Sequence, residues 1–409
     1  MARHVLKGSA KLMQKLNTSL VLDIIQKSGP ISRTELAQQT RLSNPAISTL
    51  IAPLLEEGIV EEIGTADSTG GRPARLLQFN AKSGYLVGVD IGSNLMSGAV
   101  VDMGGNIVLR KTCPSEKGEK CVEILVSLIE ELWKEADQPD EKLKGIGLGI
   151  PGITANNGQR VSFAPGIGWE DFDIGKILDK KFHVPLFADN DVNCFARGEL
   201  WQGALKNVTN GAAVTIGTGI GVGIVIDQRV YRGSHSAAGE VGYWLLGSLG
   251  PIEKLAGFGP LESIAAGPGI ARQAIAELSE NPQSGQILRE LVEGNIEKIT
   301  AKDVFTAARL GDSYCQSLVK QTTDYLGILM ANMASLLNME KIVIGGGISR
   351  VGEQIITPIR HIVEHLSPYP PEIEISTLQA DATILGAISG VLGLRESSIQ
   401  FSQLHWDGY

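Results

Sequence analysis

At 409 residues, with 43% apolar and 20% charged side chains, the chain exceeds one ordinary core and has the balance of a soluble protein of two or three domains. No stretch approaches the roughly 20 apolar residues of a membrane span. The basic N-terminus lacks the apolar core and cleavage site of an export signal, and four scattered cysteines (Cys113, Cys121, Cys194, Cys315) show no CxxC pairing, so a reduced cytoplasmic protein is expected. The net charge of −9 is uneven: residues 1–80 carry nine Lys/Arg against seven Asp/Glu, and the remainder 27 against 38. An acidic body repels nucleic acid, which confines any such contact to the N-terminal part.

Along that part, Leu16, Leu20, Val21, Ile24 and Ile25 recur at helical spacing and stop at Ser28-Gly29-Pro30. Ser32 and Glu35 read as a capping box opening a short helix over 33–40, with Leu36 and Ala37 inward. After the turn at Arg41-Leu42, Asn44 is expected to cap a third helix and Pro45 to take its first position. There Ile47, Leu50, Ile51, Leu54 and Leu55 form one apolar stripe with Asn44, Ser48 and Ala52 opposite, and Pro53 is predicted to kink the helix past its first turns. Segments 59–63 and 75–79 read as two strands joined by GTADSTGGRPA, a hairpin wing. Three short helices with a tight second turn, followed by a wing, predict a winged helix-turn-helix whose third helix enters the major groove. The candidate DNA contacts are Arg33, Ser43, Asn44, Ser48 and Thr49, with Arg72 and Arg75 of the wing suited to phosphate or the minor groove. The alternative is a three-helix packing module that binds no nucleic acid.

After Asn80 the pattern turns to strands alternating with helices. Strands are predicted at 85–90, 97–102, 107–111, 143–149 and 185–188, with an amphipathic helix over 121–136. A second half repeats the theme, with strands at 212–217, 221–226 and 341–344. This is α/β architecture, in which ligands sit at the C-terminal ends of strands. Glycine-bearing turns follow several strands, at Gly92-Ser93-Asn94, Gly217-Thr218-Gly219 and Gly345-Gly346-Gly347. Such turns can cradle phosphates with backbone amides, or simply reverse the chain.

The order DIG…VDMGGNIV, GLGIPG, DNDVN, GTGIGVG…GSHSAAGEVG, VIGGGI resembles the ROK family of repressors, open reading frames and sugar kinases. The N-terminal ISRTELAQQTRLSNPAISTLI…LLEEGIVEE…STGGRPARLLQFN resembles its repressor branch, and GWED at 168–171 is similar to the corresponding segment of that family's xylose repressors. The resemblance covers nearly the whole chain. It implies a winged domain over 1–80, a first actin-like (ribonuclease H-like) lobe over 81–195 to which a C-terminal helix near 384–396 returns, and a second lobe over 196–383 carrying sugar-binding and dimerisation elements. It places a monosaccharide in the cleft on Asn190, Asp191, Glu240, Tyr243 and Glu262. Asp191 corresponds to the kinase base, although an aspartate beginning a helix can equally be its cap. Trp169 can cover a sugar face or fill the core.

Two departures matter. The family's usual histidine is Tyr243 here, and its zinc-binding cysteines correspond to Glu253, Leu255 and Pro260, so no structural zinc or other cofactor is expected. Kinases of the family read DxGGT where this chain has Asp90-Ile91-Gly92-Ser93-Asn94, so the first phosphate turn is degenerate at Gly92, Ser93 and Asn94 while the second, Gly217-Thr218-Gly219, is intact, and the mixture reads as a vestigial phosphate site. His361 and His365 share a helix face without a third ligand and read as ordinary helix residues. The expectation is therefore a non-catalytic, sugar-responsive repressor of carbohydrate-use genes. Its partners are operator DNA, an inverted repeat, and a second copy in a homodimer or dimer of dimers. The alternatives are an ATP-dependent sugar kinase with an accessory DNA-binding domain and Asp191 as base, and a scaffold that sequesters a partner protein.

Overall fold

The computed structural model describes residues 10–65, 74–155, 158–245 and 259–397. The N-terminal domain holds α1 (Ala10–Ser28), β1 (Ile31–Ser32), α2 (Arg33–Thr40), α3 (Asn44–Glu56), β2 (Val60–Thr65) and β3 (Arg75–Phe79). Ser32 and Glu35 form the reciprocal capping box: Glu35 N donates to Ser32 Oγ at 3.2 Å and Ser32 N to the Glu35 carboxylate at 2.8 Å. The cap of α3 corrects the expectation by one residue. Ser43, not Asn44, accepts from Ala46 N at 3.4 Å, and Asn44 is already helical. Pro53 lies inside α3, which continues to Glu56. Val21, Ile25, Leu36, Ile47, Ile51, Val60 and Leu77 pack into this domain's own core. The two-residue β1, too short to show a period, pairs with β3 and gives the sheet order β1-β3-β2.

The body contains two five-stranded sheets of like topology. The first is built from β4 (Tyr85–Ile91), β5 (Leu95–Asp102), β6 (Ile107–Pro114), α4 (Glu119–Ala136) and β7 (Leu143–Ile150). A small antiparallel sheet of β8 (Ile153–Ala155), β9 (Arg160–Ala164) and β10 (Trp169–Phe172) follows, then α5 (Ile174–Phe182), β11 (Leu186–Asn190) and α6 (Asp191–Gln202). The second half runs β12 (Gly211–Ile216), β13 (Ile220–Ile226), β14 (Arg229–Tyr231), α7 (Pro260–Ala265), α8 (Gly267–Glu280), α9 (Gln286–Leu291) and α10 (Ala301–Arg309). It ends with α11 (Ser313–Leu337), β15 (Lys341–Gly345), α12 (Glu353–Leu366), β16 (Glu372–Ile375) and α13 (Asp381–Ser397). The orders β6-β5-β4-β7-β11 and β14-β13-β12-β15-β16 correspond strand for strand: an antiparallel meander of three, extended by two parallel strands.

Glycines allow the central helices to approach each other and the sheets. A methyl group on Gly198 of α6 would lie 1.9 Å from the Ala382 carbonyl oxygen, and one on Gly386 of α13 would lie 1.7 Å from that of Cys194. Gly88 and Gly147 likewise leave room for Ile384 and Ala387, so α13 returns to the first sheet. On its other side α6 presses Val192 and Ala196 against Gly221 and Gly223 of β13. The lobe boundary expected at 195/196 thus falls inside α6, one rigid helix held by both sheets. Among the described residues no helix is long and apolar enough to cross a membrane.

Candidate functional site

The first sheet sends three strands toward one cleft. β4 carries Asp90 at its end, β7 ends in Gly149-Ile150, and β11 runs through Asp189-Asn190 into Asp191, the first residue of α6. Asp90 and Asp191 flank Gly149: a methyl group there would lie 3.6 Å from Asp90 Oδ1 and 3.5 Å from Asp191 Cα. Burial pushes the Asp90 carboxyl up to about 7. Asp191 is pushed up to about 7 as well, by burial first and then by the charges of Asp90 and Glu240. Two carboxyls on one poorly hydrated floor resist ionising together.

Asn190 takes the capping role that had been the alternative for Asp191. Its Oδ1 accepts from Val192 N at 2.9 Å and Asn193 N at 3.1 Å, and its Nδ2 donates to the Gly152 carbonyl at 3.2 Å. Its Oδ1 is thereby taken up by the cap, and one of its two amide N–H groups is engaged by the protein. Behind it, the buried Asp189 accepts from Asn193 Nδ2 at 3.3 Å and pairs with Arg232, which follows β14 of the second sheet. That ion pair ties the two lobes together.

From the second lobe come Glu240, Tyr243 and Glu262. Glu262 braces the backbone: Oε1 accepts from Ile220 N and Oε2 from Gly259 N, both at 3.0 Å. Gly219 and Gly242 press on this carboxylate, and a methyl group on Gly219 would lie 2.5 Å from Oε1. Glu240 is open to the cleft on one side, yet the protein around it and then the Glu262 charge raise its carboxyl. Tyr243 is raised by burial and then by the charges of Glu240 and Glu262. Charge links Asp191 to Asp90 and to Glu240, and Glu240 and Tyr243 to Glu262, so the acidic groups form a run of neighbours from the first sheet to the second. A cleft rich in acceptors and negative charge suits a neutral polyhydroxyl ligand, whose hydroxyls donate charge-assisted bonds, and opposes an anion.

Both glycine turns are internally bonded. Gly92 N donates to the Leu95 carbonyl at 3.0 Å, Ser115 N donates to the Asn94 carbonyl at 3.0 Å, and Ser93 lies against Gly166. Gly217 N donates to Gly219 O, and Gly267 N to Gly217 O, each at 2.9 Å, while Thr218 is exposed. Trp169 belongs to the core: its ring is buried, stacks on Phe172 with centroids 4.9 Å apart, and donates Nε1–H to the Gly118 carbonyl at 3.1 Å. At the zinc position the residues do not suit the metal. Tyr243 and Pro260 offer neither imidazole nor thiolate, and Glu253 and Leu255 lie outside the described residues.

On the N-terminal domain, Ser43, Asn44, Ser48 and Thr49 are exposed along the first turns of α3, opposite the buried Ile47, Leu50 and Ile51. Arg33 and Arg75 both bind Glu62, Arg33 at 2.7 Å, and these guanidiniums, Arg75 before Arg33, hold the Glu62 carboxyl below its ordinary value. The two arginines are thus partly neutralised before any phosphate arrives, which the sequence did not disclose. Arg72 lies outside the described residues.

Sequence reasoning placed Asp90 in the first phosphate turn and not beside Asp191, and passed over the Asp189–Arg232 pair. A signal existed for Asp90, a carboxylate closing the otherwise apolar strand YLVGVD. Arg232 carried none, since its partner is 43 residues away.

A duplicated α/β body with a carboxylate-lined cleft, preceded by a helix-turn-helix with an exposed polar reading face, defines a DNA-binding regulator built on a sugar-kinase fold. Residues 86–393 match the ROK family, and residues 17–61 match the winged helix-turn-helix DNA-binding class. The chain belongs to the ROK family. It is similar to the xylose repressor of Caldicellulosiruptor bescii, 30% identical over 392 residues that span 94% of this chain and 97% of that protein. It is also similar to a glucokinase of Halalkalibacterium halodurans, 34% identical over 74% of this chain and 93% of that one. Among solved structures, a ROK family transcriptional regulator homologous to the E. coli MLC protein superposes with a TM-score of 0.79 at 25% identity, over 95% of this chain and 98% of the other.

Proposed function

We propose that the chain is a transcriptional repressor of carbohydrate-use genes that releases its operator when a monosaccharide, with D-xylose the first to test, occupies the cleft. The observation that carries this reading is the union, in one chain, of an exposed polar face on α3 with a run of neighbouring carboxyls, Asp90, Asp191, Glu240 and Glu262. Full-length likeness to a xylose repressor, DNA-binding domain included, supports it. Asp191, Glu240 and Tyr243 accept sugar hydroxyls, Glu262 contributes lone pairs left by its backbone bonds, and Asn190 caps the helix that Asp191 opens while its second amide N–H donates to the sugar. Ser43, Asn44, Ser48 and Thr49 read base edges, while Arg33, Arg72 and Arg75 meet the DNA backbone. Two copies on an inverted repeat, with half-sites about 34–36 Å apart, match the two-fold symmetry of a homodimer.

The second reading is a sugar kinase. It is favoured by an Asp191 carboxyl near 7, the value of a competent base at neutral pH, and by the glucokinase likeness. It is opposed by Ser93 and Asn94 in the closed first turn.

The deciding experiment is a titration of labelled DNA from upstream of the chain's own gene at physiological salt, with D-xylose, D-glucose and N-acetylglucosamine, beside ATP turnover on the same sugars. Specific binding released by one sugar without ATP consumption is the expected result. Sugar-dependent ATP turnover with no specific DNA binding overturns the proposal and assigns Asp191 to catalysis.

A further inference from the structure

The two ends of α6 touch two different parts of the molecule. Its N-terminal end is the cleft: Asn190 caps it and Asp191 is its first residue. Eleven residues later, about 16 Å along the axis, it ends in Trp201-Gln202 against the turn between β5 and β6. Gln202 Nε2 donates to the Gly105 carbonyl at 3.3 Å, and Trp201 shares an apolar cluster with Met103 and Ile107. Gly105 has φ +86°, and a methyl group there would lie 1.8 Å from Gln202 Nε2 and 2.7 Å from the Trp201 ring. The helix end and the turn are therefore in close contact.

That turn holds the linker to the DNA-binding domain. Met103 N donates to the Ala81 carbonyl at 2.9 Å, and Gly104 leaves room for the Ala81 methyl. One residue back, Asn80 grips the end of the reading helix: its N donates to Ile59 O and its Nδ2 to Gly58 O, both at 2.9 Å, directly after α3. The described contacts thus run without a gap from Asp191 through α6, Trp201-Gln202, the 103–105 turn and Asn80-Ala81 to the end of α3.

We infer that α6 is the rod by which an occupied sugar cleft moves the DNA-reading helix, with Trp201 and Gln202 as the positioning residues that hand its displacement to the linker. This rests on the function proposed above and specifies its regulation. A rigid helix suits the task because it is clamped at its middle by the Gly198–Ala382 and Gly386–Cys194 contacts, so a tilt at the cleft end reappears at the Trp201 end. Contiguity alone does not establish coupling. What distinguishes a transmitting residue from a merely stabilising one is that its loss uncouples two affinities while leaving each intact.

The test uses the full-length chain, the upstream DNA duplex and D-xylose, D-glucose or N-acetylglucosamine as effector. Sugar affinity is measured by calorimetry, and operator affinity by anisotropy with and without saturating sugar. In the parent, sugar is expected to weaken operator binding by about 5–150-fold. Trp201→Ala is expected to shrink that factor to below about 2-fold, with sugar affinity and sugar-free operator affinity each within about 3-fold of the parent. Trp201→Phe restores the response. Gln202→Ala, which removes one hydrogen bond at an exposed site, lowers the factor partially and decides the matter should Trp201→Ala fail to fold. Lys142→Ala cuts a different tie to the linker, its 3.3 Å bond to the Lys82 carbonyl, and leaves the factor unchanged. An unaltered factor in the Trp201 and Gln202 variants, or an equal loss in Lys142→Ala, overturns the inference while the repressor function stands. A parent that releases DNA for none of the three sugars overturns both.

Discussion

Glu262 offers the sharpest test, because its position separates a structural brace from a pure ligand contact. Its carboxylate accepts two backbone N–H groups from different elements, Ile220 at the start of β13 and Gly259 ahead of α7, each at 3.0 Å. Glu262→Ala leaves both donors without a partner. A hydrogen bond to a charged group contributes about 1.5–3 kcal/mol, and two would sum to about 3–6 if the site stayed dry. Glu262 is only half-buried, so water recovers part, and a loss of about 2–4 kcal/mol is expected. For a lobe of this size each kcal/mol lowers the melting temperature by about 2–4 °C, so the second lobe's calorimetric transition should fall by about 4–16 °C. Glu262→Gln keeps one acceptor but turns an amide N–H toward the other donor, and should lose roughly half as much. If Glu262→Ala melts within about 2 °C of the parent while sugar affinity collapses, the brace is refuted and Glu262 is a ligand contact alone.

Three further outcomes follow from the same geometry. Arg232→Met strands the buried Asp189 carboxylate. Breaking a buried pair costs about 3–5 kcal/mol, reduced here to about 2–4 because Arg232 is 31% exposed, and Asp189→Asn in the same chain should recover most of it in urea unfolding. Because Asp90 and Asp191 titrate near 7 when folded but in the ordinary carboxylate range when unfolded, the folded state binds more protons between those limits. Stability should therefore fall as pH rises from about 4 to about 7 and level off above, and Asp191→Asn should flatten that slope in a melting-temperature series. Ser48→Ala should weaken operator binding by about 1–3 kcal/mol with no change in the body's melting transition, whereas an equal loss on random DNA would place Ser48 on the backbone instead of a base.

What the sequence determined by itself is whatever short-range physics decides. The Ser32–Glu35 capping box, the apolar stripe of α3, the strands of the meander and the glycines at their ends are governed by neighbours within a few residues, and they were legible as such. The near-misses lie at the same scale: Ser43 and Asn44 are both good caps, and only the path of the chain into α3 chooses between them. Motif order then pointed to the cleft and to most residues beside it. Tertiary structure alone decided which polar groups remain free once the chain closes on itself. The Asn190 Oδ1 caps α6, Glu262 accepts from two distant amides, and Arg33 and Arg75 share one glutamate, because a buried or half-buried polar atom takes whatever partner folding brings within reach. The raised carboxyls of Asp90 and Asp191 belong to the same level, since burial and mutual repulsion exist only after β4 and β11 are laid on either side of β7.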